Sequence, residues 1–209
     1  MSSRQEILDK IRLVTNRKQP SLSDMEFDNT AIYKPILPDA ITCFKNELEA
    51  ISGQCLVVND EAELYETLKN ELAVRQLTTV FCRDEAITSQ LEKYAIASTN
   101  SNADFEAMTC GITACELLIA RTGSVLVSSA GASGRQMNVF PPVHIIIASA
   151  SQLVDYPEEA LIAIQKKYAN QLPSVITTIT GPSRTADIEK TLVLGAHGPK
   201  ELIMFIVKN

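Results

Sequence analysis

The chain has 209 residues, 45% of them hydrophobic and 21% charged, and carries a formal net charge of −6. That composition supports one folded domain with a sizeable core, or one domain plus an appendage. It excludes nucleic acid as the main partner, since no basic stripe is there to neutralise phosphates, and no apolar run reaches the roughly 20 residues of a membrane-spanning helix.

At the N-terminus, Ser3 and Glu6 make a capping box, and Ile7, Leu8, Ile11 and Val14 recur at helical spacing with Arg17 and Lys18 in the last turn. This predicts a surface helix. Residues 19–38 hold three prolines and no regular period, which reads as an extended arm. The expected division is therefore an N-terminal helix and arm over 1–38 and an α/β domain over 39–209. Such an arm permits exchange between the subunits of a homo-oligomer. No apolar signal core follows the first helix, so no cleaved leader is expected. The five cysteines are odd in number, and Cys55 and Cys82 sit inside apolar runs as small buried residues. These features set the expectation of a reducing, cytoplasmic location.

From residue 39 the pattern alternates. A helix over 39–51 precedes the apolar run CLVV at 55–58. Asp60 can cap a helix carrying Leu64, Leu68 and Leu72, and TTVFC at 78–82 and the helix DEAITSQLEKY follow. Short strands separated by helices indicate a parallel sheet with crossover helices. The second half is richer in strands. SVLVSS at 124–129 and VHIIIA at 143–148 are nearly continuous apolar runs, as strands covered on both faces require. Pro157, Glu158 and Glu159 open a helix whose end carries Lys166 and Lys167, matching the helix dipole. SVITTIT at 174–180 and LIMFIV at 202–207 are the last strands.

The strand at 174–180 runs into TGPSRTADIEK, residues 180–190. Gly181 admits an unusual backbone angle, and Ser183 or Thr185 can cap a helix starting near Ala186. Free N–H groups there attract anions, and Arg184 adds a bidentate donor. Asp187 and Glu189 already satisfy the dipole and repel an anion unless turned away, so simple capping and an anion site both stay open. SSAGASGRQ at 128–136 is a small-residue loop ending in Arg135 and Gln136, without the Gly-Lys-Ser/Thr ending of a triphosphate-binding loop. RTGS at 121–124 reads as a turn for which Gly123 supplies the geometry. His144 begins an apolar run and His197 lies in the turn GAHGP; either can serve as acid or base near neutral pH. Cys110 and Cys115 flank GITA with no zinc spacing, and no four-cysteine cluster set is present. No metal or cofactor is therefore expected in this chain.

GITACELLIARTGSVLVSS, GRQMNVFPPVHIIIA and TGPSRTADIEKTLVLGAHGPKELIMFIV, in this order and spacing, together resemble the LUD-domain family, and within it the lactate-utilisation C (LutC/YkgG) type. The resemblance covers roughly residues 40–209 and is strongest after 108. It implies a three-layer α/β fold around a mainly parallel sheet, like the NagB/RpiA/CoA-transferase group. It also implies a part in oxidising L-lactate to pyruvate, as the cluster-free member beside two iron–sulfur partner proteins. Members often carry an acidic residue where this chain has Arg121. By motif position the ligand-binding candidates are Thr122, Gly123, Ser124, Arg135, Gly181, Pro182, Ser183, Arg184 and Thr185. Two functions follow: a non-catalytic subunit that docks on iron–sulfur partners and binds a small anion, or an enzyme acting on a phosphate, carboxylate or CoA compound. For the enzyme, Glu116, His144 and His197 are the candidate acid, base or nucleophile; its warrant is fold analogy.

Overall fold

The computed structural model describes residues 3–15, 34–169, 171–185 and 193–208. The chain divides into two units, residues 1–35 and 36–209. In the first, α1 (Ser3–Thr15) is the expected N-terminal helix, with Glu6 in its first turn; most of the expected arm lies outside the described residues.

The second unit begins with α2 (Ala40–Ala50), β1 (Gln54–Val58), α3 (Glu61–Val74), β2 (Val80–Phe81), α4 (Glu85–Lys93) and β3 (Ser98–Thr99). Aspartates start all three of these helices. Asp39 accepts from Thr42 N at 2.9 Å, Asp60 from Glu63 N at 2.9 Å, and Asp84 from Ala86 N at 3.0 Å. Each satisfies a donor that the first helical turn leaves without a partner, worth about 1 kcal/mol. Then come β4 (Cys110–Ala114), β5 (Leu117–Ile119), β6 (Ser124–Ser128), β7 (Val143–Ser149), β8 (Leu153–Val154) and α5 (Pro157–Tyr168). The chain ends with β9 (Ile176–Ile179), β10 (Arg184–Thr185), β11 (Val193–Leu194) and β12 (Glu201–Val207).

Six strands form a wholly parallel sheet in the order β1–β12–β7–β4–β2–β3. One face packs on α3 and α4: Leu64, Leu68, Leu72, Ile87 and Leu91 meet Ile112, Ile145, Ile203 and Phe205. The other face packs on α2 through Cys43, Phe44 and Leu48. The expected α/β fold, a mainly parallel sheet with helices on both sides, is therefore present. On the α2 side a second sheet, β8–β5–β6–β9, shares the covering role by turning Leu118, Val125 and Val127 onto Ile146, Met204 and Ile206. Its outer face, Ile119 and Leu126, is closed by Ala160 and Ile164 of α5. A two-stranded ribbon pairs β10 with β11, Arg184 opposite Leu194 and Thr185 opposite Val193.

The turn between β5 and β6 locks this second sheet to α2. Gly123 has φ +57°, and a Cβ built there would stand 2.3 Å from Leu48 N and 2.7 Å from Glu47 C. Helix backbone is the near neighbour, so it has little room to give way. Arg121, beside it, pairs with Glu47 at 2.9 Å, and Cys43 Sγ donates to Ala120 O at 3.5 Å. Gly123→Ala is predicted to cost about 3–5 kcal/mol, from a strained backbone angle plus overpacking. Gly131→Ala, where the nearest neighbour of the new methyl is Ser128 O at 3.8 Å, should be close to neutral. Urea unfolding of both variants checks this; equal midpoints would show that the turn is not packed as described.

Candidate functional site

In a parallel sheet, ligands gather outside the carboxyl ends of the strands where the order reverses. Here β2 leads outward to β3, while the neighbouring β4 leads the opposite way toward β7, so the crevice between β2 and β4 is that place. Two clefts open there. One, of about 240 Å³, is lined by Cys115, Glu116, Ser128, Asn138, Lys167 and the small residues of the loop after β6. The other, of about 580 Å³, is lined by Tyr65, Ile87, Gln90, Ile147, Gln152 and Val207 among others. Asp84, which follows β2, and Ala114, the last residue of β4, line both and join them into a double cleft by shared rim residues.

Glu116 organises the smaller cleft. Its side chain is only 8% exposed. Lys167 Nζ donates to Oε2 at 2.6 Å, and the Tyr168 hydroxyl and Ser128 Oγ donate to Oε1 at 2.6 and 2.5 Å. Burial pushes the carboxyl upward, but the bonds from Lys167, Ser128 and Tyr168 together outweigh it and hold the group below its ordinary value. The bond it donates to Glu116 raises the Lys167 ammonium in turn. Glu116 is thus ionised at neutral pH and engaged by three donors, which suits an anchor for the end of α5. Gln152 fixes the turn beside it: Nε2 donates to Cys115 O at 2.8 Å and Glu116 O at 3.2 Å, while Oε1 accepts from Ser149 N at 2.8 Å. Burial pushes the Cys115 thiol up to about 12, far from a reactive thiolate.

The other candidates lie elsewhere. Thr122, Gly123, Ser124 and Gly181 gather around the C-terminal end of α2. Ser124 Oγ and Thr180 Oγ1 are 2.8 Å apart, and Gly181, at φ +81°, abuts Ile51, whose side chain would stand 3.0 Å from an added Cβ. Pro182 is buried. Thr185 and Arg184 are in β10 and so pair with β11. Ser183 is bound through its backbone, its N–H donating to Pro199 O at 2.8 Å and its carbonyl accepting from Gly195 N at 3.0 Å. The helix expected from Ala186 lies outside the described residues. The Arg184 guanidinium donates to Ser52 Oγ at 3.0 Å, and that of Arg135 to Ser174 Oγ at 2.6 Å; both residues are exposed, at different places. His197 is exposed in the loop between β11 and β12. His144 is fully buried in β7, with Nε2 2.9 Å from Thr113 Oγ1. Of the candidates, then, Glu116 alone lines the double cleft. Lys167, Tyr168, Ser128 and Asp84 were not singled out from sequence, because each joins the cleft through tertiary contacts.

Fold and cleft together define an α/β domain with a crevice at a strand-order reversal. Residues 41–207 match the model of the LUD domain, and the chain belongs to that family. Lactate utilization protein C of Bacillus subtilis is 37% identical over 106 residues, which cover 50% of this chain and 44% of that protein. The protein of the same name from a Geobacillus strain is 28% identical over 188 residues, 78% of each chain. Against several relatives the match spans less than half of their length. A DUF162 family protein from Deinococcus radiodurans has the same fold, with a TM-score of 0.62 over 80% of this chain and 96% of that one at 18% identity.

Burial holds the His144 ring at a pKa of about 4, below its usual 6.5, and Nδ1 has no partner among the described residues. The fold therefore favours the neutral ring. That contribution is fully present above the unfolded value of about 6.5 and is lost as pH falls toward 4. Unfolding free energies at pH 7 and pH 4 are predicted to differ by about 3 kcal/mol less in His144→Gln than in the wild type. An unchanged difference would mean that the buried ring does not sense protonation.

Proposed function

We propose that this chain is a component of an L-lactate utilisation system: the cluster-free subunit that works with iron–sulfur partner proteins in oxidising L-lactate to pyruvate. One observation carries the reading: the chain is a LUD-family member whose relatives include several proteins named lactate utilization protein C. In this proposal the clusters reside in the partners, and this chain supplies a docking surface and a contact for a small anion.

We place the anion contact at Arg184. The side chain is exposed and is held by a neutral hydroxyl, that of Ser52. Among the described residues its side-chain partner is that hydroxyl, and no carboxylate forms an ion pair with it. A planar guanidinium offers two parallel donors that match a carboxylate. Arg135, bonded to Ser174, is the second exposed arginine of this kind.

Deletion of the gene is predicted to stop growth on L-lactate as sole carbon source, and the tagged protein should retain iron–sulfur proteins on purification from lactate-grown cells. Normal growth of the deletion strain would sink the lactate reading. Arg184→Ala should unfold within about 0.5 kcal/mol of the wild type, as exposed substitutions do, yet fail to restore growth. If it restores growth fully, the anion contact is wrong while the lactate role stands.

A further inference from the structure

The charges around the double cleft are one-sided. Glu61, Asp84 and Glu116 line it, against Lys167 as the one cation among its described lining residues. Lys167 is already spent on Glu116. The Asp84 carboxylate uses Oδ1 to cap α4, and Glu61 is exposed on the first residue of α3. Both helix N-termini that face the cleft are thus answered by the protein's own carboxylates.

Beneath these charges the floor is apolar. Ala114 is exposed, and Ile147 and Val207 are half-buried, at the carboxyl ends of three adjacent strands. Ile87 and Tyr65 stand beside them as buried wall residues. The larger cleft, about 580 Å³, falls in the size range of small-molecule sites, roughly 300–1,000 Å³. A concave, low-dielectric surface ringed by one sign of charge focuses its potential. This one attracts cations and repels phosphates and carboxylates, although its place in the sheet is where many α/β proteins hold anionic ligands.

We propose that the double cleft binds an organic cation, an ammonium or guanidinium carried on an aliphatic stem. The stem lies against Ala114, Ile147 and Val207, and the charge faces Asp84 and Glu61. Such a group arrives either as a free amine or as the Lys or Arg side chain of a partner protein. The inference is independent of the lactate role, and neither fails with the other.

Three near-isosteric probes test it by calorimetry on the full chain: n-butylammonium, 1-butanol and butyrate. The amine is expected to bind at least tenfold more tightly than the alcohol, with an affinity that falls as salt rises, and butyrate should show no binding. Asp84→Asn keeps the cap of α4, since Asn caps as well as Asp. Combined with Glu61→Gln, it should weaken the amine at least tenfold and leave the alcohol unchanged. Glu61→Gln alone, at an exposed position, should weaken the amine about threefold and keeps the test open if the double variant does not fold. Equal affinity for amine and alcohol, tighter binding of butyrate, or an amine affinity untouched by these substitutions would overturn the proposal. The blocked tripeptide acetyl-Ala-Lys-Ala-amide separates the two sources. Binding at least as tight as that of the amine assigns the cation to a partner chain; binding of the amine without the peptide assigns it to a free ligand.

Discussion

Burial of β7 and β12 on both faces is the constraint from which the rest of this molecule is built. Ile145, Ile203 and Phe205 point to one side, and Ile146, Met204 and Ile206 to the other. A strand of this kind needs two apolar covers. The crossovers that parallel strands require supply one of them as α3 and α4. On the other side α2 offers only Cys43, Phe44 and Leu48 as buried residues, too little to cover the sheet. The smaller sheet completes that cover with Leu118, Val125 and Val127. Its own outer face then needs α5. Each layer is the answer to apolar surface left open by the one before it.

The same logic explains why two motifs that invite a ligand reading are joints. RTGS and the start of TGPSR both press on the C-terminal end of α2, Gly123 against Glu47 and Leu48, Gly181 against Ile51. Left-handed backbone is used at both, and the missing Cβ is needed at Gly123, because a helix must sit against a sheet at its turns. Arg121 belongs to this joint: its partner is Glu47 of α2.

Elements whose apolar residues run without interruption were legible in the sequence. VHIIIA and LIMFIV match β7 and β12 within a residue, and the Asp60 cap locates α3. β4 was not legible, because its residues are chosen by distant neighbours. A Cβ on Gly111 would lie 2.8 Å from Met137 and 2.9 Å from Pro141, and Thr113 is polar because it answers His144. The division of the second-half strands into two sheets was hidden for a similar reason, since no local pattern tells which strand pairs with which. The site was half legible. Glu116 is a candidate acid, base or nucleophile from the sequence. Lys167 looked like an ordinary dipole-matching residue at a helix end, and its partner is 51 positions away. Tyr168, 52 positions from Glu116, gave no signal at all.

Charge completes what the layers begin. The surplus of acids over bases is not spread evenly. Glu61, Asp84 and Glu116 line the clefts at the carboxyl end of the sheet, while Arg184 and Arg135 stand elsewhere with hydroxyl partners among the described residues. Had the arginines faced the crevice, an anion would be its natural ligand. Had the carboxylates sat beside Arg184, they would have formed ion pairs and silenced it. Keeping the two apart costs some attraction between them, and the loss is small because exposed pairs contribute at most about 1 kcal/mol. In the proposed reading the domain then presents two surfaces of opposite preference. A chain with one cationic contact and one acidic cleft can hold two chemically different partners at once, which a charge-balanced surface of the same composition cannot do.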